Sequence, residues 1–128
     1  PDLTEHARAR WRAICIAAAK QSGADFLPEI EQPRTLDDFL AAPAGGQAIR
    51  LLGAAESKVT VPEALRNWRA GMSVALLIGP EGGLSNQERL LAQRSGFRAC
   101  RLGPRILRAE TAPLAALAIL QAMAGDLA

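Results

Sequence analysis

An uninterrupted apolar segment, residues 73–78, runs directly into a glycine-rich loop. The segment Ser-Val-Ala-Leu-Leu-Ile shows no alternation of polar and apolar residues, which is typical of a central parallel strand buried on both faces. The loop, Gly79-Pro-Glu-Gly-Gly83, is followed by Ser85-Asn-Gln-Glu88, a capping box that predicts the start of a helix. Together they predict a strand–loop–helix unit, the building block of α/β proteins with parallel sheets.

The rest of the sequence extends this alternation. Helices are predicted at residues 4–22 with Thr4 and Gly23 as caps, after Thr35, from Ser85 to about residue 95, and at residues 111–124. Strands are predicted at residues 48–52 and 97–102, an edge strand or extended linker at residues 26–30, and a helical turn at residues 62–68. We therefore predict an α/β fold with a mostly parallel sheet and helices on both faces. Because ligands of such sheets bind outside the carboxyl ends of the strands, the candidate site lies in the loops after Leu52, Ile78 and Leu102.

The composition indicates one globular domain and argues against several kinds of site. The chain has 128 residues, of which 49% are hydrophobic and 22% charged. A single histidine, His6, and two distant cysteines, Cys15 and Cys100, are too few for a structural zinc site, and we expect no metal. No apolar run approaches the roughly 20 residues of a membrane span, and the first residues lack the pattern of a secretory signal. With so few cysteines, these features predict a cytoplasmic protein.

Arginine supplies most of the positive charge and is concentrated late in the chain. Thirteen of the fifteen basic residues are arginines, and residues 89–109 contain six of them without one acidic residue. Guanidinium groups bind phosphates through paired hydrogen bonds, so one interpretation is a phosphate-rich partner such as RNA. The other is a solvated surface on an arginine-rich protein. The candidate RNA-binding residues are Arg89, Arg94, Arg98, Arg101 and Arg105.

The loop at residues 102–112, Leu-Gly-Pro-Arg-Ile-Leu-Arg-Ala-Glu-Thr-Ala, combines charged and apolar residues. Ile106 and Leu107 are unusual on a surface loop, and apolar side chains beside free backbone groups suit a flat heterocycle such as adenine. Arg108 offers a cation for a phosphate or carboxylate, and Glu110 is a candidate base. The alternative for Glu110 is a carboxylate at a helix start, which the helix dipole favours. The glycine-rich loop likewise has a plain interpretation as a tight turn, although a turn does not require Glu81.

The two loops together resemble a known family. Residues 78–88 and, about 13 residues further on, residues 102–112 are similar to the RsmE family of small-subunit ribosomal RNA uridine-N3 methyltransferases. That family belongs to the SPOUT, or trefoil-knot, superfamily. Gln21-Ser-Gly23 and Leu27-Pro-Glu-Ile30, which follow a helix that contains tryptophan, fit the same pattern. The resemblance therefore covers nearly the whole chain.

This resemblance implies a fold and a reaction. It implies a deep trefoil knot near the C-terminus and a homodimer with the site at its interface, where S-adenosylmethionine binds as cofactor. The implied reaction methylates N3 of a specific uridine, uridine 1498, in the 16S ribosomal RNA of the small subunit, without a metal or a covalent intermediate. It also implies that residues 1–128 are the methyltransferase domain without its first strand and helix, and without the family's N-terminal PUA-like RNA-binding domain.

The resemblance also implies roles for individual residues. Arg108 and Glu110 would face the uridine as catalytic residues. The backbone around Leu102 and Leu107 would hold the adenine, and Gly79 and its neighbours would lie against the ribose and the methionine. The full set of expected cofactor-binding residues is Leu52, Gly53, Ile78, Gly79, Pro80, Glu81, Gly82, Gly83, Leu102, Gly103, Ile106, Leu107, Ala109, Thr111 and Ala112.

Two other functions stay open. The chain could be an RNA-binding module without catalysis, or another enzyme of the same superfamily that acts on transfer RNA. Binding of S-adenosylmethionine separates the first of these from a methyltransferase. The last predicted helix also carries a mostly small apolar stripe at three-four spacing, which predicts dimerisation through this helix or packing inside the monomer: Leu114, Leu117, Ala118, Gln121 and Ala122.

Overall fold

The computed structural model describes residues 2–24, 27–41, 49–103, 107–108 and 110–124. The chain divides into two units, Pro1–Phe39 and Leu40–Ala128. Among the described residues, no helix is long and apolar enough to cross a membrane.

The first unit contains the long helix α1 (Asp2–Ser22). The helix begins two residues before the predicted cap Thr4, and it ends as expected at Gly23, which has a φ of 73°. Residues 27–30 form no strand, so the extended linker is the correct one of the two alternatives. The Nε of Arg8 donates a 2.9 Å hydrogen bond to the carbonyl of Ile30. This bond fastens the linker to the helix.

A short helix, α2 (Leu36–Ala41), follows the linker. The hydroxyl of Thr35 accepts a 3.1 Å hydrogen bond from the backbone N–H of Asp38, which confirms Thr35 as its cap. Asp37 and Asp38 lie in the first turn, where the helix dipole favours acidic side chains.

The second unit is built on a three-stranded parallel sheet. Its strands are β1 (Ile49–Gly53), β2 (Val74–Leu77) and β3 (Arg98–Cys100), in the order β2-β1-β3. Leu51 of β1 pairs with Leu76 of β2 and with Arg98 of β3. The helices of this unit are α3 (Val61–Ala64), α4 (Asn86–Arg94) and α5 (Ala112–Ala124). The predicted α/β fold with a parallel sheet is confirmed.

Helices cover both faces of this sheet, as predicted. Leu51 and Leu52 are each 1% exposed and, as neighbours in a strand, point to opposite faces. Leu51 belongs to a cluster that includes Val61 of α3 and packs against Ile119 of α5. Leu52 packs in a second cluster with Ala92 of α4. The apolar core therefore lies on the two sides of β1.

The prediction that residues 73–78 form a central strand is wrong for the described part of the sheet. β1 is the central strand, and β2 lies at its edge with all four residues only half-buried. A continuous apolar sequence indicates that both faces of a strand are covered, but it does not indicate whether the strand has a neighbour on one side or on both.

The predicted boundaries of α4 are confirmed. The hydroxyl of Ser85 accepts a hydrogen bond from the N–H of Glu88, and the Glu88 carboxylate accepts one from the N–H of Ser85, at 3.1 and 2.9 Å. At the other end, Gly96 has a φ of 93°, and the Nη1 of Arg50 donates a 2.8 Å hydrogen bond to the carbonyl of Ser95. These contacts fix α4 directly after the glycine-rich loop.

Candidate active site

The loops after the three strands line one cavity of about 750 Å³ within the second unit. This volume lies in the range of small-molecule and cofactor sites. Parallel strands bring their carboxyl ends to the same edge of the sheet, so residues far apart in sequence meet there. The cavity is the site that the strand-end rule predicts.

The glycine-rich loop forms a tight turn on one side of the cavity. Gly82 and Gly83 have φ values of 85° and 78°, a region that side chains adopt only at a cost of about 1–2 kcal/mol. The N–H of Gly83 donates a 2.8 Å hydrogen bond to the carbonyl of Pro80 and closes the turn. A Cβ on Gly79 would lie 3.1 Å from both the backbone nitrogen and the Cγ of Leu84. At its three glycines the loop therefore presents backbone without side chains to the cavity.

Most of the predicted cofactor-binding residues line this cavity: Leu52, Gly53, Ile78, Gly79, Pro80, Glu81, Gly82, Gly83, Leu102, Leu107 and Ala112. Gly103 and Thr111 lie in the described part of the chain and are not among the lining residues. Ile106 and Ala109 fall outside the described residues. The structure thus brings together the three loops that the sequence indicates.

The two predicted catalytic residues lie beside each other at the start of α5. Arg108 lines the cavity, and its Nη1 lies 3.9 Å from the Oε1 of Glu110, which is not among the lining residues. Both side chains are exposed, at 84% and 64%. The carbonyl of Arg108 accepts hydrogen bonds from the N–H groups of Thr111 and Ala112, at 3.0 and 2.9 Å. Glu110 therefore also occupies a helix-start position, where its charge is favourable.

The arginines predicted to bind RNA differ in their surroundings. Arg94 and Arg98 are exposed. The backbone of Arg101 bridges to Thr60, and its Nε is buried without a hydrogen-bond partner in the described structure. Arg89 lines the cavity and forms an ion pair with Glu56. Arg105 falls outside the described residues.

Several lining residues were not anticipated from the sequence: Ala54, Ala55, Glu56 and Leu84. The first three complete the loop after β1, whose sequence Gly-Ala-Ala-Glu contains no distinctive motif. The strand-end rule would have included the whole loop, because it depends on position and not on residue type. Glu56 is the unanticipated lining residue that carries a charge.

Two further observations concern groups outside the cavity lining. Burial raises the pKa of the Cys100 thiol, and the positive charge of Arg98 offsets part of this rise. The thiol is consequently protonated at neutral pH and suited to packing in the core.

No cluster of three or more His, Cys, Asp or Glu residues that could hold a metal ion occurs among the described residues.

Comparisons with known proteins agree with this arrangement. The profile of the family described as RNA methyltransferase domain matches residues 2–121. Ribosomal RNA small subunit methyltransferase E of Synechocystis is 37% identical over 115 residues, which are 89% of this chain and 38% of the relative. The chain spans less than half the length of this relative.

Solved structures show the same similarity. The crystal structure of ribosomal RNA small subunit methyltransferase E from Neisseria gonorrhoeae, bound to S-adenosyl methionine, matches with a TM-score of 0.85 and 33% identity. It is matched over 98% of this chain and 51% of its own length. A Legionella pneumophila protein in complex with the bound cofactor SAM matches with a TM-score of 0.86 and 36% identity, over 98% of this chain and 50% of its own.

The family match covers most of the chain, and the relatives carry the name that the two loops indicate. The resemblance to RsmE, first drawn from residues 78–88 and 102–112, is therefore confirmed. This chain belongs to the RNA methyltransferase domain family.

Proposed function

We propose that this chain binds S-adenosylmethionine in the cavity of the second unit and methylates N3 of a uridine, uridine 1498, in 16S ribosomal RNA of the small subunit. The observation that carries the proposal is the meeting of both RsmE-like loops at one cavity. Two relatives of known structure hold the same cofactor, which supports the choice of ligand. The proposed compartment is the cytoplasm, where ribosomal subunits are assembled.

The lining of the cavity fits this cofactor. Leu102 and Leu107 provide apolar surface for the adenine, and the backbone of residues 79–83 can approach the ribose and methionine closely because it carries few side chains. When bound, S-adenosylmethionine supplies a methyl group on a sulfonium, which needs no metal for its transfer. The lining carries two carboxylates, Glu56 and Glu81, and two guanidinium groups, Arg89 and Arg108, a balance that suits a ligand with charges of both signs.

Arg108 and Glu110 are the proposed catalytic residues. The N3 atom of uridine must lose its proton to become a nucleophile, and the Glu110 carboxylate can accept that proton. Arg108 can stabilise the negative charge that develops on the uracil ring. Their ion pair, at 3.9 Å, holds the two side chains next to each other before the substrate enters. The remaining work of the site is to hold N3 in line with the methyl group.

We further propose a homodimer formed through α5, and the trefoil knot remains a prediction from the family resemblance. Leu114 and Leu117 on α5 are 71% and 52% exposed, and Ala118 and Ala122 beside them are small enough for close helix approach. Sedimentation at micromolar concentration should show a species of twice 13.5 kDa. A single 13.5 kDa species would refute the dimer.

The proposed function is tested first by calorimetric titration with S-adenosylmethionine. We expect saturable binding at one site per chain. An RNA-binding module without catalysis would not bind this ligand. Methyl transfer is then measured with small ribosomal subunits that lack the modification and with unmodified transfer RNA. Methylation of the transfer RNA alone would assign the chain to another enzyme of the same superfamily, and methylation of uridine N3 in the subunit would support our proposal.

A further inference from the structure

The cavity contains an ion pair that the reaction described above does not use. The Nη1 of Arg89, on α4, contacts the Oε1 of Glu56, in the loop after β1. Both residues line the cavity. Glu56 is exposed and Arg89 is half-buried, so the pair faces the open space of the site.

The fold does not require this pair. Neither residue belongs to the two core clusters, and α4 is already held to β1 by the packing of Ala92 with Leu52 and by the hydrogen bond of Arg50 to Ser95. Ion pairs at exposed positions contribute little to folding stability, because water competes for both charges. The position of the pair in the cavity therefore points to a ligand.

The charges in the cavity are arranged unevenly. Arg108 lines the cavity, but its partner Glu110 does not. Arg89 and Glu56 both line the cavity. Glu81 forms no ion pair within the described residues. Arg89 and Glu56 thus place one positive and one negative group side by side on the same wall.

The order of the strands places this wall relative to the other two loops of the cavity. The loop after β3, with Leu102, lies at one edge of the sheet, and the glycine-rich loop after β2 lies at the other. The pair joins the loop of the central strand β1 to α4, which follows the glycine-rich loop. An adenine ring needs the apolar lining at Leu102 and Leu107, which leaves the zwitterionic end of the ligand to the charged part of the lining, where Glu56 and Arg89 supply both signs.

We infer that Glu56 and Arg89 bind the amino-acid end of S-adenosylmethionine, an inference that rests on the proposed function. That end carries an ammonium and a carboxylate on the same carbon. Glu56 accepts hydrogen bonds from the ammonium, and Arg89 donates two parallel hydrogen bonds to the carboxylate. Each protein charge exchanges one partner for another of the same sign, so no charge is left unpaired when the ligand enters.

This assignment makes Glu56 and Arg89 binding residues for the cofactor. It changes the role of Arg89, which the sequence alone grouped with the RNA-binding arginines. It also gives the otherwise undistinguished loop after β1 a function in recognising the amino acid, and it predicts selection against adenosine derivatives that lack one.

The inference is tested by calorimetry with two ligands that differ at this end. S-adenosylhomocysteine and 5′-methylthioadenosine both have an uncharged sulfur, but only the first has the amino-acid group. Glu56→Gln and Arg89→Gln should each weaken binding of S-adenosylhomocysteine on the order of ten- to a hundredfold, the range expected for a lost hydrogen bond to a charged group. Binding of 5′-methylthioadenosine should change by less than about twofold, because the expected contact is absent from that ligand.

Matched controls are Glu63→Gln and Arg66→Gln, at exposed positions that do not line the cavity. Both should bind the two ligands as the parent chain does. Equal weakening of both ligands by Glu56→Gln and Arg89→Gln would overturn the inference, since the pair would then only shape the cavity. Unchanged binding of S-adenosylhomocysteine would overturn it as well.

A measurement on the parent chain covers the case in which a variant fails to fold. S-adenosyl-3-thiopropylamine keeps the amine and lacks the carboxylate, so it should bind at least tenfold more weakly than S-adenosylhomocysteine. Equal affinity for the two would overturn the role of Arg89. If the parent chain binds neither these ligands nor S-adenosylmethionine, the proposed function fails, and this inference fails with it.

Discussion

The two loops that carry the family resemblance are built in different ways. The loop at residues 79–83 is shaped by its backbone, with two glycines at positive φ and a hydrogen bond that closes the turn. The stretch from Arg108 to Ala112 instead presents charged side chains, and the Arg108 guanidinium is 84% exposed. The first loop is suited to hold a ligand in a fixed place. The second is suited to meet charge that changes during a reaction.

This contrast predicts that substitutions in the two loops have separable effects. Changes in the backbone-built loop should reduce ligand binding, because the space for the ligand is lost. Changes in the charged loop should reduce turnover more than binding, because a charge that acts mainly in the transition state contributes little to the ground state.

The largest effect is expected for Gly82→Val. A β-branched residue at a φ of 85° is strained, and it would add a side chain to the lining of the cavity in which we propose that the ligand binds. We expect the affinity for S-adenosylmethionine, measured by calorimetry, to fall at least about a hundredfold. The free energy of unfolding should decrease by only about 1–2 kcal/mol, so the chain stays folded.

Gly71→Val is the matched control for this experiment. Gly71 has a similar φ of 91°, no atom lies within 4 Å of the position that a Cβ would take there, and the residue does not line the cavity. It should show the same loss of stability and normal binding. If Gly82→Val binds S-adenosylmethionine as the parent does, the glycine-rich loop is a structural turn only.

A smaller effect, on the rate, is expected for Arg108→Ala. Removing one group that stabilises developing charge lowers the turnover rate about a hundredfold or more. Affinity for unmodified small ribosomal subunits should fall only a few-fold, and binding of S-adenosylmethionine should be retained in part. Single-turnover methylation and filter binding measure the two quantities separately. Full turnover in Arg108→Ala, together with its loss in Arg94→Ala, would reverse the roles proposed for these arginines.

A still smaller effect is expected for the exposed arginines outside the cavity lining. Arg94→Gln and Arg98→Gln should each weaken RNA binding a few-fold, evenly across sequences, and reduce the salt dependence of affinity by about one phosphate contact. Arg101 offers the comparison, because its Nε is buried. Arg101→Gln should change the salt dependence less than the other two substitutions. A salt dependence that is the same in all these variants and the parent would argue against phosphate contacts by Arg94 and Arg98.

Local signals in the sequence were sufficient for much of the second unit. The capping box at Ser85 and the glycine at position 96 predicted both ends of α4, because these signals act over three or four residues. The order of the strands depends on pairing between distant segments. The apolar content of residues 73–78 therefore suggested a central strand, while β1 occupies that place.

The same limit applies to the site. The three loops could be predicted because they follow strands of a parallel sheet. Glu56 could not be singled out, since an acid after Gly-Ala-Ala has no local signature. Arg89 was grouped with the other arginines because helical spacing does not reveal a partner 33 residues away in the chain. Side-chain pairs of this kind become visible only in the folded structure.

The smallest effect is expected for Ser85→Ala, which tests whether the glycine-rich loop keeps its shape without the helix that follows it. Removing the cap hydroxyl leaves the N–H of Glu88 without its 3.1 Å partner and should cost about 1 kcal/mol of stability. That corresponds to a decrease in Tm of a few degrees for a chain of this size. Ser73→Ala is the control, because Ser73 is exposed and lies outside the cavity lining. Since Gly82 and Gly83 are set by their own backbone and by the hydrogen bond to Pro80, affinity for S-adenosylmethionine should change by less than about threefold. A loss of tenfold or more would mean that the cap, and not the glycines, holds the loop in its binding conformation.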